Sequence, residues 1–394
     1  MIYHLSRRLI RRVANHVRSV RFKRQLPART LNQDIAQTFD YQSFRQPVLN
    51  FTEGLSVKQS FAFKYSASCN RPTLYASAYA CMIYSLLGKL DELSGQAKSS
   101  WIQYFDSFQN ADDGLYYDPV LDSENYPSED WWGARHLALH MISAYTDLGG
   151  TPKMPFHFLE AYYDVAQLKR WLEGFNWHGS IESAGDLDNK IMNIGCALQY
   201  QRDAWNDEHA GKAIRFIQTF LAEQTNSNTG LWCTFNQNDP VQLSRAVQFA
   251  YHLFPLFFYD EIPIRNADRI VELVLRTQNS IGGFGVCPNS SACEDIDSVD
   301  LLIRLAALVP EKQREIRAAL ARAFNWVLVN QVADGGFVFR LSEPFVYGHP
   351  EMASSTNEGA MFPTWFRTLC VAYLAEYFKV SHSFRFMRCP GYEF

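Results

Sequence analysis

Residues Cys293 to Asp300 read CEDIDSVD, placing four acids and a cysteine within about two helical turns. Helix N-termini attract carboxylates through side-chain capping and the macrodipole. That accounts for any one of these acids taken singly, but not for the crowding of Glu294, Asp295, Asp297 and Asp300. Comparable polar groups open other helical segments: Glu129, Asp130, Trp131, Trp132, Arg135 and His136; then Asp186, Asp188 and Asn189; then Gln242 and Arg245; finally Asn357 and Glu358. If these openings share one end of the molecule, they converge on one pocket. Its candidate substrate-binding residues are Asp130, Trp131, Trp132, Arg135, His136, Asp188, Arg245, Asn357 and Glu358. Acids on opposite walls, Asp130 or Asp188 against Asp297 or Glu358, would suit general acid and base chemistry on a sugar, with Trp131, Trp132 and Trp177 as platforms. His136 and His140 lie four residues apart on one helix face, a spacing that can chelate a metal, but no Glu completes an HExxH motif. Neither a metal nor any other cofactor is expected.

The elements that must position these residues form a repeat. A Gln or nearby polar residue, a short turn, a Gly and an aromatic recur as QNADDGLYY from Gln109, QTNSNTGLW from Gln224, QNSIGGFG from Gln278 and QVADGGFVF from Gln331, with a degenerate copy, FNWHGSI, from Phe175. The anchoring glycines are Gly114, Gly179, Gly230, Gly283 and Gly336, so the steps are 65, 51, 53 and 53 residues. A near-constant period means one supersecondary unit repeated. Between the phrases, mostly apolar segments (72–90, 131–148, 190–205, 241–259, 299–308 and 362–378) alternate with amphipathic ones (92–109, 157–172, 208–224, 267–278 and 311–331). The first kind reads as buried helices, the second as helices with one face in water. A sixth outer helix is expected before Phe51. Six helices buried inside six others make an all-α, closed (α/α)6 toroid. An open solenoid would leave the last apolar segment, FPTWFRTLCVAYLAEYF, uncapped. The glycine turn is a clasp: Gly permits positive φ, the Gln bonds freed backbone groups, and the aromatic packs on the outer helix.

These phrases resemble the QW-type repeat of the squalene-hopene cyclase and protein prenyltransferase superfamily, over roughly residues 70–379. The resemblance implies a terpenoid-cyclase-like toroid and an isoprenoid or polyprenyl substrate cyclised after protonation. In the resembled cyclases a DXDD motif supplies the Brønsted acid from its third position. Here Asp295-Ile296-Asp297-Ser298 places Asp297 on the acid, with Asp295 and Glu294 beside it and Ser298 where the last Asp would stand. Such an acid must stay neutral, which burial and neighbouring carboxylates achieve, and aromatic faces would stabilise the cation it creates. The prenyltransferase branch instead binds zinc through Asp, Cys and His. Cys293, Asp295 or Asp297, and His349 are the residues available, in a different order. No DDxxD is present for metal-assisted ionisation of a diphosphate. A carbohydrate-active toroid and a binding scaffold without chemistry are the other two readings.

The chain of 394 residues is 47% hydrophobic and 15% aromatic, which suits one large core. The domain reading is a basic segment at 1–30, a toroid at 31–380 and a tail at 381–394. The first thirty residues hold nine Arg or Lys and no acid, leaving about −13 for the rest of a chain whose net charge is −4. Their apolar residues recur at helical spacing, which admits three readings: a peripheral membrane contact through residues 1–24, a targeting peptide, or an outer helix. An acidic body argues against nucleic acid. Eight scattered cysteines without a CxxC pair suit a reducing compartment, so a cytoplasmic protein, associated with the inner membrane face if at all, is expected. The expected partner is a small molecule, isoprenoid or sugar, in the toroid cavity.

Overall fold

The structure is a computed structural model that describes residues 38–57, 60–121 and 132–392. The basic segment at 1–30, on which the expectation of a membrane contact rests, and the candidates Glu129, Asp130 and Trp131 lie outside the described residues. Thirteen helices run along the described chain: α1 Tyr41–Gly54, α2 Leu74–Leu86, α3 Gly95–Asp106, α4 Ala134–Leu148, α5 Val165–Glu173, α6 Leu187–Trp205, α7 Glu208–Gln224, α8 Pro240–Leu253, α9 Pro255–Tyr259, α10 Ala267–Arg276, α11 Ala292–Leu305, α12 Gln313–Val329 and α13 Met361–Phe378. Four two-residue strands form two small hairpin-like pairs, Phe63–Lys64 with Pro72–Thr73 and Phe345–Val346 with Ala353–Ser354.

The inner ring is α2, α4, α6, α8, α11 and α13. Each packs on the next, and α13 returns to α2, so the ring closes. Composition explains which helices are inside. Every residue of α2 (LYASAYACMIYSL) is buried, as is α13 from Met361 through Ala375. Outer α10 buries only Ala267, Ile270, Val271, Leu273 and Val274, with Arg269 and Glu272 outside. The sixth outer helix is α1. It buries Phe44, Val48, Leu49 and Phe51, and Phe44 packs beside Phe337 of the last glycine phrase. The toroid expected from the repeat is the fold observed. No helix among the described residues is long and apolar enough to cross a membrane.

Several boundaries differ from expectation. The apolar run at 241–259 is two helices, because Pro255 lacks the N–H that would continue α8 and its ring clashes with the preceding turn. Helix α11 starts at Ala292 rather than near Val299, so the acidic octapeptide lies inside it. Ser291 caps it, and Glu294 completes a capping box by accepting from the Ser291 N–H. Residues 381–392 do not trail away. Arg385 N–H donates to Leu86 O, Arg388 Nη2 to Tyr259 O, and Gly391 and Tyr392 enter the toroid.

The clasp has a defined chemistry. Nε2 of Gln109, Gln278 and Gln331 donates to the carbonyls of Gly114, Gly282 and Gly335 respectively. Two of these amides also reach the next unit, at Met154 O and Ala319 O. Gly283 has no room for a side chain, since a Cβ would run into Ser290 Oγ and Trp326 Nε1. The degenerate copy works alike: Trp177 Nε1 donates to Leu172 O as Trp232 Nε1 donates to Leu221 O.

Candidate functional site

A chamber of about 300 Å³ lies among the inner helices, bounded by the N-terminal ends of α4, α6, α11 and α13 and by the middle and C-terminal end of α8. Its two long walls differ. One is built from α6, α8 and the residue before α6, and presents Asp186, Asn189, Arg245, Gln248 and His252. The other is built from α11, α13 and the loop between α12 and α13, and presents Cys293, Asp297, Phe362, Phe366 and Tyr347. His136 of α4, Met192 of α6, Tyr251 of α8 and Tyr392 also line it, with Gly185 and Gly391.

Helical geometry decides which side chains face inward. Cys293 and Asp297 are the second and sixth residues of α11, and Phe362 and Phe366 are the second and sixth of α13. Residues four apart share a face, so each pair points at the chamber. The fourth residue points elsewhere. Ser77 of α2, Asp295 of α11 and Thr364 of α13 all hold that position. Their side-chain oxygens accept the N–H of Phe63, Phe284 and Phe337 at 3.1, 2.9 and 2.9 Å. Asp295 therefore fills a repeating structural slot. It also accepts from Ser290 Oγ (2.8 Å), Trp326 Nε1 (2.8 Å) and Arg367 Nη1 (2.9 Å), and both it and Arg367 are withdrawn from solvent. Burial pushes its carboxyl up, against the Arg367 charge and the Phe284 and Ser290 donors. The expectation that Asp295 assists an acid is corrected: both oxygens are engaged in tying a glycine turn to α12 and α13. Glu294 is likewise occupied. It caps α11 through Ser291 and accepts from Arg340 Nη2 at 2.8 Å.

Asp297 is different. It is buried in the chamber wall, and its Oδ1 has no hydrogen-bond partner. Burial first, then the charges of Glu294 and Asp188, push its carboxyl well above the usual range, with Arg245 opposing. On the opposite wall both oxygens of the buried acid are engaged. Asp188, completely buried, accepts two bonds from Arg245 at 2.7 Å each and one from His252 Nδ1 at 2.7 Å. Burial alone would raise its carboxyl, but these donors hold it well below the usual range. An ionised Asp188 only accepts, so the His252 Nδ1 that faces it carries a proton, which leaves Nε2 as the ring nitrogen turned away from Asp188. Arg245 also donates to Gly185 O at 2.9 Å and lies over the Phe249 ring.

Other candidates are placed as follows. His136 lines the chamber, shares a 3.0 Å hydrogen bond with Tyr75 OH, and is pushed down to about 3 by burial and by nearby His252. His140 Nε2 faces Tyr79 OH at 3.1 Å, and burial pushes it down as well. Trp132 is buried between Tyr75 and His349, stacked on both, and does not reach the chamber, so it is a packing residue rather than a platform. Trp177 is buried behind its turn. Arg135 is half-buried at the start of α4. Glu358 is corrected too: it accepts from Ser68 N and Oγ and from Ser355 N, clamping two loops, and neighbouring Asn357 is an exposed turn residue at φ 59°. Cys293, Asp295 and His349 do not converge. Among the described residues no group of three His, Cys, Asp or Glu is placed to hold a metal, and all eight cysteines are free. Phe362, Phe366, Tyr347, His252 and Tyr392 were not singled out from sequence. The one available signal was the spacing of Phe362 and Phe366, which matches that of Cys293 and Asp297.

No protein-family model matches the chain, and no curated protein matches it. Solved structures do share its fold. A cellobiose 2-epimerase from Bacillus thermoamylovorans superposes with a TM-score of 0.50 at 10% identity, over 85% of this chain and 98% of that one. A GH76 alpha-mannanase from Bacteroides thetaiotaomicron gives a TM-score of 0.45 at 12% identity, over 88% and 96%. An ent-copalyl diphosphate synthase from Streptomyces platensis gives 0.44 at 14%, over 78% of this chain and 50% of that one. At such identities the likeness is one of fold, the (α/α)6 toroid.

Proposed function

We propose that this protein is an enzyme that protonates a neutral, mainly apolar substrate from Asp297 and takes a proton back at His252, giving an isomer or a cyclised product. The observation that carries this reading is the orphaned Asp297 Oδ1 in an aromatic wall. A carboxyl kept neutral by burial and by like charges is a strong donor once a substrate arrives. Protonating a double bond or an epoxide leaves a cation. The faces of Phe362, Phe366, Tyr251 and Tyr347 stabilise it without offering a nucleophile of comparable strength. His252, oriented through Nδ1 by Asp188, accepts the proton lost from the cation at Nε2. One proton enters and one leaves, so the reaction needs no co-substrate, and the two groups exchange protons with water through the mouth.

Charge argues for neutrality of the substrate. Arg245 is the one permanent cation among the described lining residues, and Asp188 binds it on two nitrogens. Asp186 adds a further negative charge at the mouth, so an anionic head group finds no net attraction. A chamber of about 300 Å³ lies at the lower end of small-molecule sites, which suits a short isoprenoid alcohol, epoxide or hydrocarbon.

The test is incubation with such neutral isoprenoids in deuterated water. The expected product has the substrate's formula with one hydrogen replaced by deuterium, and Asp297→Asn lowers its formation by about 10²–10⁴-fold. Turnover within a few-fold of the parent would remove Asp297 from the proton path. A second reading rests on the wall of Asp186, Asn189, Arg245 and Gln248, which could hold a hydroxylated ring, with Asp186 and Asp297 as base and acid. The toroid also carries a cellobiose 2-epimerase, so the fold admits a sugar. Turnover of a neutral disaccharide, with none of an isoprenoid, would select that reading.

A further inference from the structure

The segment after α13 contributes something the toroid repeat does not supply. Tyr392 lies between two cavities: the chamber on one side, and on the other a space of about 30 Å³ whose lining mixes apolar Met82, Leu86, Trp365 and Leu369 with polar Ser85 and Asp147. It lines both. Its ring stacks on His140 (centroids 5.8 Å apart, 16° between planes) and meets Trp365 and Phe366 edge-on at 6.0 and 6.1 Å. Its hydroxyl is 3.4 Å from His140 Nδ1. The preceding residues fix this placement. Gly391 has φ +90°, and a Cβ there would lie 2.8 Å from Leu139 Cδ1 and 3.4 Å from Cys196 Sγ, so only glycine passes between α4 and α6. Cys389 Sγ lies 3.4 Å from Ser143 Oγ.

From this placement we infer that Tyr392 is the floor of the chamber and sets the length of substrate it accepts. The inference rests on the reading of the site as one for an apolar chain. The space below the ring holds about one water at most. A chain entering from the mouth therefore stops at Tyr392, and removing the ring joins the lower space to the chamber. Tyr392 is a specificity-determining residue here, not a proton donor or acceptor.

The experiment measures dissociation constants of geraniol, farnesol and geranylgeraniol, by tryptophan fluorescence, for the full chain and for Tyr392→Ala and Tyr392→Phe. Circular dichroism melting establishes that each variant is folded. The parent and Tyr392→Phe are expected to prefer the shorter alcohols. Tyr392→Ala is expected to shift the ratio of affinities toward the longest by ten-fold or more. An unchanged ratio in a folded Tyr392→Ala overturns the inference and leaves the proposed reaction standing. If no isoprenoid alcohol binds either protein, the proposed substrate class is wrong. Hexan-1-ol against dodecan-1-ol then decides the floor alone: a ten-fold shift in Tyr392→Ala supports it, and an equal ratio in both proteins or no binding by either rejects it.

Discussion

The two walls of the chamber handle a buried carboxylate in opposite ways. On the α6–α8 wall, Asp188 receives three charged or charge-assisted bonds and is held ionised. On the α11–α13 wall, Asp297 is left with an empty oxygen and pushed toward the neutral form. The same contrast is drawn within one helix, where Asp295, two residues before Asp297, has four donors. Satisfied acids hold the frame, and the unsatisfied one is available for chemistry. A buried polar atom without a partner lowers stability, typically by about 1–3 kcal/mol. Such an atom beside a cavity is consistent with a site whose partner is the substrate.

The sharpest way to break this contrast is to exchange the roles. Arg367→Met leaves Asp295 charged and buried without its counterion, and is expected to destabilise the protein by about 3–5 kcal/mol. Urea denaturation should show it as a lower midpoint with little change in slope. Asp297→Asn, two residues along the same helix, should destabilise by less than about 1 kcal/mol or stabilise, because it removes a group whose charged form is disfavoured by burial. Equal losses in the two variants would mean that both acids are structural. Asp188→Asn, on the other wall, falls between them at about 2–3 kcal/mol, since Arg245 and His252 keep some contact with water.

Titration separates the walls further. Asp297 has a folded pKa above its unfolded value, so above about pH 4 the folded state holds its proton while the unfolded state loses it. Its effect is to erode stability with rising pH until its folded pKa is passed. Asp188 is depressed, so its stabilisation is complete above about pH 4 and is lost as pH falls through the folded value. Denaturation as a function of pH should therefore show Asp297→Asn flattening the limb that falls as pH rises above about 4, and Asp188→Asn flattening the limb that falls as pH drops below it. If both variants change the same limb, the assignment of opposite charge states is wrong.

Much of the frame was legible in the chain, and the reason is mechanical. The glycine phrases need positive φ, a Gln donor and an aromatic, and few residue types meet those needs, so the period survives in the sequence. The outer helix at Tyr41–Gly54 followed from the need to close six pairs. The division of labour between Asp295 and Asp297 was not legible. Two residues along a helix are roughly 200° around it, but which side faces the chamber depends on the register of α11 against α13. The slot filled by Ser77, Asp295 and Thr364 was hidden for another reason. The loops from the aromatic donor to that residue span 14, 11 and 27 positions, as the numbering of Phe63, Phe284 and Phe337 shows, and the residue types differ. Tyr392 escaped notice because nothing local marks a segment that folds back into its own toroid.

The smallest effect expected concerns the clasp, and it tests whether the frame is as separate from the chamber as the contrast implies. Gln331 Nε2 donates to Gly335 O, whereas Gln278 Nε2 donates to Gly282 O and also reaches Ala319 O on the next outer helix. A neutral hydrogen bond contributes about 0.5–1.5 kcal/mol net, and a carbonyl that regains water on its loss contributes less. Gln331→Ala is thus expected to lower stability by about 0.5–1 kcal/mol, and Gln278→Ala by about 1–2 kcal/mol, with the Arg322 guanidinium beside Gln278 losing its acceptor as well. Neither side chain lines the chamber, so binding of a short isoprenoid alcohol should be unchanged in both. A several-fold loss of binding in Gln278→Ala, at a temperature where the variant is fully folded, would show that the turn sets the position of α11. Asp297 would then depend on the clasp as closely as Asp295 does, through Phe284.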